Sequence, residues 1–208
     1  WHVDHDLPLP LCADPADLNE LAPRLARGMQ RAGVELLALR GRAVFPREFN
    51  DSADEWGNKA ETLSKVTLSL VAEMLERCVD GPVKVVCDKH GGRNFYGRFL
   101  QQQFPDHLVE VYRESTPLSC YRWGPDHARV EVQFRSGGEE YLPAALASMT
   151  AKYLRELAMR AFNDYWCDKL PGLKPTAGYP GDARRFKQAI EPLQATLGIA
   201  DHVLWRNC

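Results

Sequence analysis

Pro82-Val83-Lys84-Val85-Val86-Cys87-Asp88-Lys89-His90-Gly91-Gly92-Arg93-Asn94-Phe95-Tyr96 is the stretch on which the fold turns. Its first residues form a short β-branched apolar run, which reads as a buried strand. A Gly-Gly turn follows, and then a segment carrying Phe95, Phe99, Leu100 and Phe104, so an amphipathic helix is expected after the turn. Open α/β sheets place their chemistry just past the carboxyl ends of strands. Asp88 stands at that position and is the first candidate catalytic residue; the alternative is a turn former or helix N-cap.

Upstream, Asp14-Pro15 offers an N-cap and a first helical position. Leu18, Leu21, Leu25 and Met29 then recur at helical spacing, which predicts a helix from about Asp14 to Ala32. Val34 to Phe45 is β-like, and Pro46 to Lys59 reads as a polar loop. Leu63, Val66, Thr67, Leu70 and Met74 place a long helix from Ala60 to about Arg77. Downstream, strands are expected near Leu108–Tyr112 and Val130–Phe134, the second alternating cleanly between apolar and polar residues. A long helix follows from about Pro143 to Cys167, then a Pro/Gly-rich loop from Lys169 to Ala183 and a helix from Arg184 to Leu197. The expected class is α/β, with helices flanking a mixed sheet. Residues 1–80 form an N-terminal helical and β segment of the same domain or an insertion, and 81–208 the region that would carry chemistry.

The chain has 208 residues, 45% of them hydrophobic, which is about one domain with a real core. A net charge of −2 excludes a globally basic nucleic-acid coat. The charge is uneven, however: between Lys152 and Gln188 there are eight Lys/Arg against four Asp/Glu. Either a polyanion docks there or these are ordinary solvated helix faces. Six cysteines (Cys12, Cys78, Cys87, Cys120, Cys167, Cys208) show no ligand rhythm, which argues against structural zinc or a disulfide scaffold and for a reducing, cytoplasmic setting. No apolar run reaches membrane-spanning length, so no membrane partner is expected, and a monomer is. The start at Trp1, without an initiator Met, reads as a fragment missing something upstream.

Three further segments could carry chemistry. Gly91-Gly92 could present backbone N–H groups to a phosphate, although it lacks a Walker or GxGxxG pattern. Ser136-Gly137-Gly138-Glu139-Glu140-Tyr141-Leu142-Pro143 puts two carboxylates at a helix start, where acids complement the dipole or, beside Asp88, form half of a hard-cation site. Pro175-Thr176-Ala177-Gly178-Tyr179-Pro180-Gly181-Asp182 is a stiff loop presenting one tyrosine, suited to stacking on a sugar or base, or to capping a core.

Taken together, these segments resemble the type 2 ribonucleases H (ribonuclease HII). Ala147-Ser148-Met149-Thr150-Ala151-Lys152 with Arg155-Glu156 is similar to that family's Ala-Ser-Ile-x-Ala-Lys-x-x-Arg-Asp helix. Gly178-Tyr179-Pro180 with Asp182 is similar to its Gly-Tyr-Pro-x-Asp loop, and the strand ending at Asp88 to the one bearing a later active-site aspartate. The resemblance covers about residues 82–197 and implies a ribonuclease H-like sheet. It implies that Asp88 binds metal, and that the further acid preceding the Ala-Ser helix is Glu139, with Glu140 left open. It implies that Tyr179 contacts the sugar at an RNA–DNA junction, and that Lys152 and Arg155 lie on or near the substrate face or support the fold. His90 and Arg93 have no family counterpart and suggest substrate contacts of this chain's own. The family's first strand, with Asp-Glu and a glycine-rich loop, has no match, and the first 80 residues align with no family element.

The implied activity is endonucleolytic hydrolysis of the RNA strand of RNA–DNA hybrids, or of ribonucleotides embedded in DNA, with Mg²⁺ or Mn²⁺ in a two-metal site. With only Asp88 and Glu139 or Glu140 supplied, the site is incomplete and this stretch alone is expected not to turn over. Two alternatives stand: a ribonuclease H-like module that binds nucleic acid or protein without catalysis, and a small-molecule phosphate enzyme built on the Gly91-Gly92 turn.

Overall fold

Val83–Asp88 forms a strand, β1, with Lys84 and Asp88 exposed and the other residues half-buried. The structure, a computed structural model, describes residues 6–57, 59–78 and 81–207. Three more strands, β2 (Glu110–Glu114), β3 (Leu118–Trp123) and β4 (Val130–Arg135), join β1 in one mixed sheet. The order is β1-β4-β3-β2, with β1 parallel to β4 and the other pairs antiparallel. Val85 and Cys87 point to the core cluster, while Lys84 and Asp88 are exposed. β1 is thus an edge strand with one buried face, not the fully buried strand expected. Its parallel register sets Asp88 opposite Arg135, so both lie at the same end of the sheet.

The helices are α1 (Pro15–Ala32), α2 (Pro46–Trp56), α3 (Lys59–Leu75), α4 (Gly97–Gln103), α5 (Leu142–Lys169), α6 (Pro180–Thr196) and the short α7 (Asp201–Leu204). The chain divides into two compact units: the residues up to Leu39 with Arg155–Ile190, and Arg40–Leu154 with the residues from Glu191 on.

The sheet belongs to the second of these units. Leu68 of α3, Tyr96, Phe99 and Leu100 around α4, Tyr121 and Trp123 of β3, and Val132 and Phe134 of β4 form one buried cluster. Tyr96 stacks on Phe134 with ring centroids 3.7 Å apart and planes 1° from parallel. Each fully buried aromatic here contributes roughly 1.5–3 kcal/mol through burial alone. Two buried polar contacts fix the cluster further, Tyr96 N–H donating to the Tyr121 hydroxyl at 2.7 Å and His90 N–H to the Tyr96 hydroxyl at 3.0 Å. The opposite sheet face is polar. Arg122 and Gln133 both donate to Glu131, at 2.6 and 2.5 Å, and Arg135 donates to Gln133 at 2.9 Å.

In the other unit, Ala161 and Trp166 of α5 and Phe186 and Ile190 of α6 are buried, with the Phe162 and Phe186 rings 5.6 Å apart. Phe162 and Trp166, and Phe186 and Ile190, are each four residues apart, so each pair shares one helix face.

Several expectations need correction. Val34 to Phe45 forms no strand; Leu36, Leu37 and Leu39 are exposed and pair with nothing in the sheet. The stretch expected to be a polar loop contains α2, entered through Pro46 at its first position and closed by Gly57 at φ 75°. Its Asn50 looks like a loop residue but is 1% exposed. The Asn50 amide donates to the carbonyls of His202 and Trp205 at 2.9 and 2.7 Å, satisfying the open carbonyls around α7. β3 was not anticipated, because Ser119 and Cys120 interrupt its apolar pattern; both are buried. The Gly91-Gly92 turn does not lead straight into a helix. α4 begins at Gly97 and has only seven residues, so no helix N-terminus is aimed at that turn.

Candidate functional site

Asp88 ends β1 as an exposed side chain. Gly138, in the 3-10 turn Gly138–Glu140, lies directly against it. The Gly138 N–H reaches Asp88 Oδ1 at 3.4 Å, and a Cβ on Gly138 would meet the Asp88 N and Cα at 3.4 Å. The absence of a side chain at Gly138 therefore lets the two turns touch. The two segments singled out as carboxylate-bearing are brought together in this way.

Beyond Asp88, Lys89, His90 and Arg93 turn inward while Gly91 and Gly92 stay exposed. His90 is 8% exposed, its ring edge-on to Tyr96 and Phe134 at 5.5 and 5.6 Å. Its Nδ1 lies 3.0 Å from the Ser64 hydroxyl, which itself donates to the Ala60 carbonyl at 2.9 Å. That second bond uses the hydroxyl proton, so Nδ1 is assigned as the N–H donor. Burial, and then the Arg93 charge, push the imidazole down to about 4 against a smaller opposing pull from Asp88. Lys89 sends its ammonium among neutral oxygens: Asn94 Oδ1 at 2.6 Å, the Ser115 carbonyl at 2.7 Å and Ser119 Oγ at 3.2 Å. Burial lowers its pKa. Arg93 lies over the Phe99 ring at 4.4 Å with its Nε buried and unpartnered. His90 and Arg93, expected as substrate contacts, are placed in the fold's interior wall.

Glu139 is turned to the start of α5. It accepts from the Ser148 hydroxyl at 2.8 Å and lies 3.7 Å from Lys152 Nζ. Its carboxyl is held below the usual range, first by Ser148 and then by Lys152. Glu140 is exposed. The Tyr141 ring is flanked by two cations that the sequence reading missed, Arg135, which lies opposite Asp88 in the sheet, at 4.9 Å and Lys84 at 5.4 Å.

The Tyr179 loop belongs to the other unit, and its construction is unlike that of the Asp88 turn. Asp182 accepts from the Thr176 hydroxyl at 2.6 Å, the Ala177 N–H at 2.8 Å and Arg185 Nη2 at 2.8 Å. These contacts, Thr176 first, hold its carboxyl down at about 2. Asn163 brackets Thr176, accepting from its N–H at 2.8 Å and donating to its carbonyl at 2.9 Å. Arg185 donates to the Lys174 and Pro175 carbonyls at 3.1 and 3.0 Å, and Arg155 to the Ala177 carbonyl at 2.5 Å. Gly178 takes φ 73°, where a side chain would be strained and would press on Arg155 and Met159. The Tyr179 carbonyl then receives the Ala183 N–H at 2.7 Å and starts α6, with Pro180 at its first position. α6 therefore begins four residues before Arg184. With its backbone fixed on all sides, Tyr179 leaves its ring 65% exposed, with the Arg155 guanidinium 5.1 Å from the centroid. Arg155 is thus a brace for this loop.

No protein-family model matches the chain, and comparisons with curated proteins and with solved structures find no match.

The implied divalent metal can be tested against the donors present. Among the described residues no three His, Cys, Asp or Glu side chains converge on a point. Glu139 is already committed to Ser148 and Lys152, and Asp88 has one long contact to a backbone N–H. These donors do not make a two-metal centre by themselves. A cavity of about 600 Å³ lies at the other end of the sheet, lined by Leu75, Val83, Phe104, His107, Trp123 and Val130 among others, and includes none of the expected site residues. No helix among the described residues is long and apolar enough to cross a membrane.

Proposed function

We propose that this chain is the substrate-reading part of a ribonuclease HII-like endonuclease acting on RNA–DNA hybrids or on ribonucleotides embedded in DNA. The observation that carries the reading is the Tyr179 loop. At least seven hydrogen bonds involving Asn163, Asp182, Arg185 and Arg155 are spent on a loop whose exposed large hydrophobic side chain is one aromatic ring. Such bracing does little for a core and much for an aromatic platform that must meet a sugar or base at one fixed angle. The 2′-hydroxyl is the chemical difference such a site has to read.

Asp88 supplies one acidic corner at the carboxyl end of β1, opposite Arg135, a cation that suits a phosphodiester. Mg²⁺ or Mn²⁺ would need further carboxylates to be held there, so no hydrolytic step is assigned to the residues described, and Glu139 and Glu140 stay outside the chemistry. The reading places the protein in a reducing, cytoplasmic setting, in keeping with free thiols at Cys12, Cys78, Cys87, Cys120 and Cys167. The commitment of Glu139 to its own helix favours, as a second reading, a module of the same kind that binds hybrids without turnover.

The test is fluorescence anisotropy with two labelled duplexes, one all-DNA and one with a single embedded ribonucleotide. The expected result is tighter binding of the second, lost in Tyr179→Ala. Equal affinity for both duplexes would sink the proposal. Adding magnesium separates its two forms: a nick at the ribonucleotide by the purified chain would show that its own carboxylates suffice.

A further inference from the structure

Helix α1 has eighteen residues and not one of them is buried. Its caps are nevertheless well formed. Asp14 Oδ1 accepts from the Ala16 N–H at 2.8 Å, and Gly33 closes the other end at φ 64° while Val34 N–H reaches back to the Met29 carbonyl at 2.9 Å. In proteins most of a helix's stability comes from covering its apolar face. That face exists: Leu18, Leu21 and Leu25 follow one another at three- and four-residue spacing and are 41, 51 and 65% exposed. Gly28 continues the stripe with open space above it, and Pro23 lies on the opposite side.

We propose that α1 pairs with α1 of a second copy of this chain, antiparallel and about a two-fold axis. The charge pattern selects this occupant. The acids Asp14, Asp17 and Glu20 all lie in the first half of the helix, and the bases Arg24, Arg27 and Arg31 all lie in the second. A parallel pair sets like charge against like. An antiparallel pair sets each acidic half against a basic half, and a two-fold axis makes the surface complementary to itself. Packing Leu21 against Leu25 of the second copy centres the pair at Pro23. Leu18 then sits over Gly28 of the second copy, and Asp17 lies alongside Arg31 of the second copy. Arg24, near the axis, is held by Glu20 of its own helix at 3.3 Å, which tempers its approach to the other Arg24. Two helices about 27 Å long bury less surface than a standard stable interface, so the dimer is weak and concentration-dependent.

Sedimentation velocity of the chain across the micromolar to millimolar range tests this. A monomer–dimer equilibrium is expected, weakened at least about tenfold by Leu21→Asp with Leu25→Asp and weakened by added salt. Two charge variants guard against misfolding as an explanation. Asp17→Arg with Glu20→Arg leaves only bases within the helix, and Arg24→Glu with Arg27→Glu and Arg31→Glu leaves only acids. Each alone is expected to be monomeric, while their mixture forms a heterodimer. A wild-type chain that stays monomeric, because the leucine face packs elsewhere on the same chain, overturns the proposal. Association that survives the leucine substitutions, or charge variants that self-associate like the wild type, overturns it as well.

Discussion

At the Asp88 turn the exposed acid is barely held, while its neighbours Lys89 and His90 are packed and hydrogen-bonded inward; at the Tyr179 loop the backbone is braced and the ring projects from it exposed. Asp88 has one 3.4 Å contact to a backbone N–H. Lys89 and His90, the next two residues, tie the turn to β3, α3 and the aromatic cluster. At the Tyr179 loop the holding residues, Asn163 and Arg185, come from the flanking helices α5 and α6. The difference separates positions packed into the fold from positions left at the surface, which the proposed function assigns to a ligand. It also ranks the consequences of changing each.

His90→Ala should have the largest effect on stability. It leaves Ser64 without its partner and opens a hole against Tyr96 and Phe134, a loss of about 2–4 kcal/mol in chemical denaturation. The same residue makes the fold acid-sensitive. His90 is neutral in the fold, with its pKa down at about 4, whereas unfolded histidine titrates near 6.5. Its stabilising contribution is therefore complete above about pH 6.5 and is lost as pH falls toward 4, up to roughly 3 kcal/mol in all. A denaturation midpoint that does not move over this interval, or moves equally in a His90→Ala background, would show that the imidazole is solvated.

Lys89→Met should come next, at about 1–3 kcal/mol, because the Asn94 side chain and the Ser115 carbonyl lose the donor on which they converge. The burial that lowers the Lys89 pKa makes this ammonium a structural strut, without an acidic partner among its hydrogen bonds. If Lys89→Met left stability untouched while abolishing duplex binding, Lys89 would belong with the ligand-facing residues, and the division drawn between the two groups would fail.

How much of this could be read from the sequence follows the same division. α1, α3, α5 and β4 announce themselves by periodicity, and Tyr179 by the Gly and Pro on either side of it. The bracing is hidden because it runs between distant residues: Asn163 reaches Thr176 across 13 positions, and nothing in the spacing of an Asn on a long helix marks it. α2 and β3 were missed for a related reason. Buried Asn50 and Ser119 look solvated in sequence, and only the carbonyls of His202, Trp205 and Asn94 explain why they are inside. Val34 to Phe45 errs the other way, since β-branched and leucine residues without a partner strand make no sheet. Asp88 was legible as a strand end, but the company it keeps was not: His90 looks like a surface residue and is buried, and Arg93 lies half-buried over Phe99.

Tyr179→Ala should cost little in stability, within about 0.5 kcal/mol, because a ring already in solvent loses little packing. Binding of the ribonucleotide-containing duplex should fall about tenfold, the order expected for losing one stacking contact. Asp182→Asn should reproduce part of that loss with the ring still present, since the amide has one carbonyl oxygen for a cluster of donors. Hydrogen exchange at Ala177 and Gly178 should quicken in that variant. Wild-type exchange at those two positions would mean that Asp182 does not hold the loop.

Asp88→Asn should be the quietest change to the fold, less than about 0.5 kcal/mol, since an amide oxygen can still accept the long bond from Gly138. Its effect on binding should have a definite sign. A carboxylate beside a phosphodiester repels it, so in the presence of a chelator Asp88→Asn should bind the duplex equally well or up to about threefold more tightly. A carboxylate that merely caps the Gly138 turn would change binding in neither direction with magnesium or without it. If Asp88 instead faces the substrate as one corner of a cation site, any gain in affinity that magnesium gives the wild type should vanish in this variant. Lys89→Met and Asp88→Asn, one residue apart, should thus fail in opposite ways, the first in stability and the second in its response to the cation.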